Sequence, residues 1–110
     1  MLYEIINPET EAILGVVTAI NKVRPFCREI CHNNPTPETH VWVVNKKSKK
    51  IIFRFIGLTT ANGHRRMAHL ENLWKSPPTH HHSDVYQKLM QKNTIGGVEY
   101  EIEVHGEENK

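Results

Sequence analysis

Residues 41–56, Val41-Trp42-Val43-Val44-Asn45-Lys46-Lys47-Ser48-Lys49-Lys50-Ile51-Ile52-Phe53-Arg54-Phe55-Ile56, decide the fold class. Two runs of β-branched and aromatic residues are held apart by a polar segment rich in lysine. Such side chains fit a pleated, half-buried surface. A short polar break between two such runs marks a hairpin. The stretch therefore reads as an antiparallel hairpin with a lysine tip. Arg54 interrupts the second run, so one face of that strand is expected to reach solvent or a partner.

Towards the N-terminus, Leu2-Tyr3-Glu4-Ile5-Ile6 reads as a short strand. Asn7-Pro8-Glu9-Thr10 has Asn and Pro at the first two positions of a type I turn. Ala12 to Val17 then returns as the second strand of a hairpin. A competing reading starts a helix at Pro8 and places Ile13, Val17 and Ile20 on one side of it. Gly15, Val16, Val17 and Thr18 are poor helix formers, which favours the hairpin. Thr18 to His32 is expected to be helical, bent or restarted at Pro25. Phe26, Cys27, Ile30 and Cys31 form its apolar stripe, and Asn33 to Pro37 ends it.

Towards the C-terminus, Thr59 to Gly63 reads as a loop. His64 to Lys75 contains good helix formers and would carry Met67, Leu70, Leu73 and Trp74 on one side. Ser83 is expected to cap a further short helix, Asp84 to Lys92, with Val85, Tyr86 and Leu89 turned inward. Gly96-Gly97 reads as a turn or bulge. Val98 to His105 alternates apolar and polar residues, the pattern of a half-buried antiparallel strand with an acidic outer face. Strands joined through hairpins and separated by helices argue α+β. The expected architecture is one domain over residues 1–106. It has an antiparallel sheet of about four or five strands with two or three helices packed on one face. Residues 107–110 are expected to be a flexible tail.

The 110 residues suit a single domain. About two thirds of the unfolded surface can be buried at this size, enough for a core without disulfides or structural metal. The longest uncharged apolar run, Ala12 to Ile20, is too short to span a bilayer. The first residues, Met1-Leu2-Tyr3-Glu4, lack the pattern of a signal peptide. The expectation is a soluble cytoplasmic protein without membrane contact.

The formal net charge of +2 hides a segregation. From His40 to Lys75 there are eight basic residues (Lys46, Lys47, Lys49, Lys50, Arg54, Arg65, Arg66 and Lys75) and one acid, Glu71, a balance of +7. The rest of the chain carries −5. Those eight cations are the candidate contact surface for nucleic acid or for a protein assembly that handles it. Lys and Arg neutralise phosphates with little sequence preference. Trp42, Phe53 and Phe55 serve as base-stacking platforms if exposed and as core if not. Glu99, Glu101 and Glu103 form a candidate acidic surface for a basic protein or a second copy.

Two other readings compete. One is an inhibitor or adaptor that acts by charge-complementary protein contact, of the type found among phage-encoded and toxin–antitoxin components. The other is a metal-free ribonuclease toxin drawing on His40, Arg54, His64, Arg65 and Glu101. No nucleophile elbow, phosphate loop, paired Cys-x-x-Cys or dinucleotide motif occurs. That argues against catalysis and against any cofactor. His80-His81-His82, and Cys27 with Cys31, are weak metal candidates, and the cysteines read more simply as core.

Overall fold

The computed structural model describes residues 2–33, 38–59, 68–73 and 83–102. The chain begins with β1 (Tyr3–Ile6) and β2 (Ile13–Val17), then a single 3-10 turn, Ile20–Lys22, and α1 (Val23–Asn33). The long hairpin follows as β3 (Glu38–Asn45) and β4 (Lys50–Thr59). After it come β5 (Ala68–Asn72), α2 (Asp84–Met90), β6 (Thr94–Ile95), β7 (Val98–Glu99) and β8 (Glu101–Ile102). The sheet order is β2-β1-β3-β4-β5, all antiparallel, and β8 adds a short parallel pairing to β4. The sheet is therefore mixed, where a wholly antiparallel one was expected. No described helix is long and apolar enough to cross a membrane.

Both expected hairpins form. Asn7 closes the first: its side-chain oxygen accepts from Glu9 N at 2.8 Å, and its own N–H donates to Ala12 O at 2.9 Å. Asn45 opens the turn of the second by accepting from Lys47 N and Ser48 N. The short Asn side chain can mimic a backbone carbonyl in this way, which is why it marks turns.

The helices lie on opposite faces of the sheet, not on one face. Along β3, Val41 and Val43 join Val23, Cys27 and Cys31 of α1. The alternating Trp42 and Val44 join Leu89 of α2 and Tyr100. Successive strand residues point to opposite faces, so a run with no polar alternation, Val41-Trp42-Val43-Val44, belongs to a strand covered on both sides. A bulge supports this arrangement. Val44 pairs with Ile51 and Val43 with Phe53, leaving Ile52 as an extra residue. The insertion reverses the facing, so Ile51 packs with the α2 cluster and Ile52 with the α1 cluster.

α1 approaches β4 very closely. A Cβ on Gly57 would lie 2.3 Å from Cys31 Sγ, so only glycine fits that crossing. Both cysteines are buried free thiols, as the apolar stripe predicts.

Two elements differ from expectation. Residues 68–72 lie in a strand paired with Phe55–Thr59 of β4, where a helix over His64–Lys75 was expected. The spacing of Leu70 and Leu73 puts them on one side of a helix but on opposite faces of an extended chain. Leu70 indeed packs in the α1 cluster and Leu73 in the α2-side cluster with Tyr86. The open edge of β4 overrides the local helical preference. Met67, Trp74 and the rest of that expected helix lie outside the described residues.

The second difference concerns Val98–His105. It is not one alternating strand: β7 folds back on β6 through Gly96-Gly97, both at positive φ. Tyr100 is then buried and β8 turns away to pair with β4. Val98 and Ile102 remain exposed, and so does Val85 of α2, whereas Tyr86 and Leu89 point inward. The expected tail lies outside the described residues.

Candidate functional site

The lysine turn protrudes between β3 and β4, with Lys46, Lys47 and Lys49 exposed and Lys50 half-buried. Among the described residues it does not stand in a basic field. Lys46 Nζ lies 3.9 Å from Glu4 Oε1. On its other flank the backbone N–H of Glu101 donates to Lys49 O at 2.9 Å, and Lys50 pairs with Glu101 in the parallel ladder. Glu99 and Glu101 are both exposed there and line a shallow depression with Ser48 and Lys49. The acidic strand and the basic turn, about fifty residues apart in sequence, are thus neighbours in space. Sequence segregation gave the impression of separate surfaces. Tertiary pairing makes one mixed-charge surface.

Arg54 leaves that surface altogether, which corrects its assignment as a binding residue. It is 1 % exposed. Its Nη1 donates to Met90 O at 3.4 Å and its Nη2 donates to Lys92 O, so it caps the C-terminal end of α2. A cation is favourable there because the last carbonyls of a helix carry partial negative charge. Burial pulls its ionisation down to about 10. Trp42 and Phe55 are likewise buried, and Phe53 is partly covered and stacks on Phe55. Trp42 and Phe55 are therefore core rather than stacking platforms. Arg65, Arg66, Lys75 and Glu103 lie outside the described residues.

A groove of about 360 Å³ opens beside the lysine turn. The buried Ile6, Val44 and Tyr100 form its floor, the exposed Ile13 and Val98 its apolar rim with Ile95, and Glu4, Glu11, Lys46 and Lys49 supply the charges. Glu11 and Lys49 are the two described non-glycine residues at positive φ, 65° and 57°. An L-residue held there costs about 1–2 kcal/mol. Such strain collects at functional positions. Glu11 is anchored by Lys92 at 3.3 Å. The Gly96 backbone N–H and Lys92 together hold its carboxyl below the usual range. Nothing in the sequence marks Glu11 as special, since its conformation follows from how the first hairpin closes.

The ribonuclease set does not converge among its described members. His40 is 2 % exposed and is held by Glu38, which also accepts from Ser83 Oγ at 2.9 Å. His40 pairs with Ile56 and Glu101 with Lys50, six residues apart along β4. That separation is roughly 20 Å. His64 and Arg65 lie outside the described residues, as do His80, His81 and His82. Among the described residues no three His, Cys, Asp or Glu side chains cluster as metal ligands. Burial drives the Cys27 thiol up to about 12 and the Cys31 thiol up to about 11, so neither offers a ready thiolate.

Comparison with protein-family models, with curated proteins and with solved structures returned no match.

Proposed function

We propose that this chain is a non-enzymatic protein-binding module, an adaptor or inhibitor, working through the groove and the lysine turn beside it. The observation that carries this reading is the interleaving of Glu4, Glu99 and Glu101 with Lys46, Lys49 and Lys50 around exposed apolar side chains. A phosphate backbone approaching the lysines would meet carboxylates at the same time. A protein segment bearing both charge signs and an apolar side chain has complements to all three. Like-charge contacts reject wrong partners, so such a pattern favours specificity.

The test compares two kinds of partner. The wild-type chain and a Lys46→Ala/Lys47→Ala/Lys49→Ala variant are immobilised and exposed to lysate of the source organism with and without nuclease. A labelled random oligonucleotide is titrated in parallel at low and moderate salt. The expected result is a protein retained by the wild type after nuclease treatment and lost by the variant. The oligonucleotide should bind no more tightly than about 10⁻⁴ M. Tighter, steeply salt-dependent oligonucleotide binding, lost in the same variant, would return the surface to nucleic acid.

A further inference from the structure

The uncharged apolar run from Ala12 to Ile20 supplies the outermost strand of the sheet. β2 pairs with β1 on its inner side, and among the described residues no strand pairs with its outer side. Edges of this kind are normally blunted by lysine, proline or an inward charge. Ile13-Leu14-Gly15-Val16-Val17 has none of these; its one blunting feature is the bulge at Leu14. Its side chains are open to solvent: Ile13 56 %, Leu14 38 % and Val16 49 %, with Ile20 beyond at 49 %.

We infer that β2 pairs antiparallel with β2 of a second copy of this chain, joining two sheets into one across a two-fold axis. The edge is self-complementary. Turned about Gly15, the strand sets Leu14 against the partner's Val16, an apolar pair, while the bulge at Leu14 leaves Ile13 on the α2 face and Val17 on the α1 face. Charge selects the direction. Glu9 precedes the strand and Lys22 follows it, both exposed. Antiparallel pairing sends the Glu9 end of one copy towards the Lys22 end of the other, whereas parallel pairing sets like against like. Gly15 can occupy the centre because its missing side chain is where Phe26 of α1 sits, with a Cβ there only 2.1 Å from the ring.

A joined strand of five residues is small beside the roughly 1,600 Å² of a standard interface, so the dimer forms in the micromolar range and its population follows concentration. It also makes the chain bivalent. The lysine turn lies at the Val17 end of β2, because Tyr3 pairs with Val17 and Glu4 with Val44. The two-fold axis therefore puts the two turns at opposite ends of the joined sheet. The inference is separable from the binding reading, since Leu14 and Val16, the residues its test changes, belong neither to the groove nor to the turn, although Ile13 lines the groove.

Sedimentation velocity of the full chain from about 5 µM to about 500 µM tests it. The expected result is a rise from monomer to dimer, with amide exchange slowing with concentration at residues 13–17. Val16→Lys should keep the circular dichroism of the wild type and stay monomeric. Leu14→Glu should do the same alone, and an equimolar mixture of the two variants should recover the dimer, because their new side chains face each other. Three outcomes overturn the proposal: a wild type monomeric throughout, concentration-dependent protection confined to other residues, or dimers untouched by Val16→Lys. The exchange measurement uses the wild type alone, so it decides the matter even if a variant fails to fold.

Discussion

The guanidinium of Arg54 lies 4.6 Å over the ring of Trp42, its partner in the β3–β4 ladder, with both side chains buried. The same group reaches the carbonyls of Met90 and Lys92. One cation thus ties the central hairpin to the end of α2. Arg54→Lys keeps the charge but loses the planar fork that serves both carbonyls and the ring. It should cost about 2–4 kcal/mol, read as a lower urea midpoint with an unchanged slope. A loss under about 0.5 kcal/mol would mean that the tie carries no weight.

The close crossing of α1 over β4 predicts a coupled pair. Gly57→Ala places a Cβ 2.3 Å from Cys31 Sγ and 2.7 Å from Cys31 Cβ. The overpacking should cost about 1–3 kcal/mol. Cys31→Ala in the same chain should recover part of the loss, because it removes the sulfur but not the Cβ. A double-mutant cycle measures the coupling, and purely additive effects would contradict the crossing.

Lys49 sits at φ 57° in the turn. Lys49→Gly should stabilise the fold by up to about 1 kcal/mol, because glycine adopts that conformation freely but loses more chain entropy on folding. The same substitution should weaken partner capture. Thermal unfolding checks the first effect and retention from lysate the second.

The thiols give a pH dependence of known sign. Their folded values, about 12 for Cys27 and about 11 for Cys31, stand above the ordinary 9.0. Each therefore contributes stability that is complete below pH 9.0 and is lost as pH rises through its folded value. Urea unfolding from about pH 8 to about pH 11 should show a steeper alkaline decline in the wild type than in Cys27→Ala/Cys31→Ala. At neutral pH a thiol reagent should label the native chain no faster than it unfolds.

Ser83 caps α2 by accepting from Tyr86 N at 3.0 Å while donating to Glu38. Ser83→Ala should cost about 1 kcal/mol. Ser83→Asp, an equally good cap in isolation, should cost more here, because it brings a second carboxylate against Glu38. Chemical denaturation of the two variants ranks them, and the order should shrink in acid as the carboxylates protonate.

Local chemistry made much of this legible in advance. The two hairpins follow from Asn7-Pro8 and from Asn45 with its lysines, and the Ser83 cap and the Gly96-Gly97 turn are equally local signals. The buried Cys27 and Cys31 follow from an i, i+4 stripe. The candidate site was half legible. Lysine density marked the turn, but the carboxylates beside it come from Glu4, Glu99 and Glu101, which no local pattern links to it.

By itself, then, the sequence determined the turns, the caps, the α+β class and the exposure of the lysine tip, all of which depend on residues within a few positions of one another. Tertiary structure alone decided the rest. Ala68–Asn72 became a strand because β4 had an open edge to fill, at the expense of its helical preference. Arg54 went inside because α2 docks on the second face of the sheet, where the carbonyls at its end give a buried cation partners. The acidic strand came to lie beside the lysines because Tyr100 is buried under the same hairpin, which brings Glu101 into register with Lys50. Charge along a chain is a one-dimensional quantity. The field that a partner meets is set by which residues packing brings together.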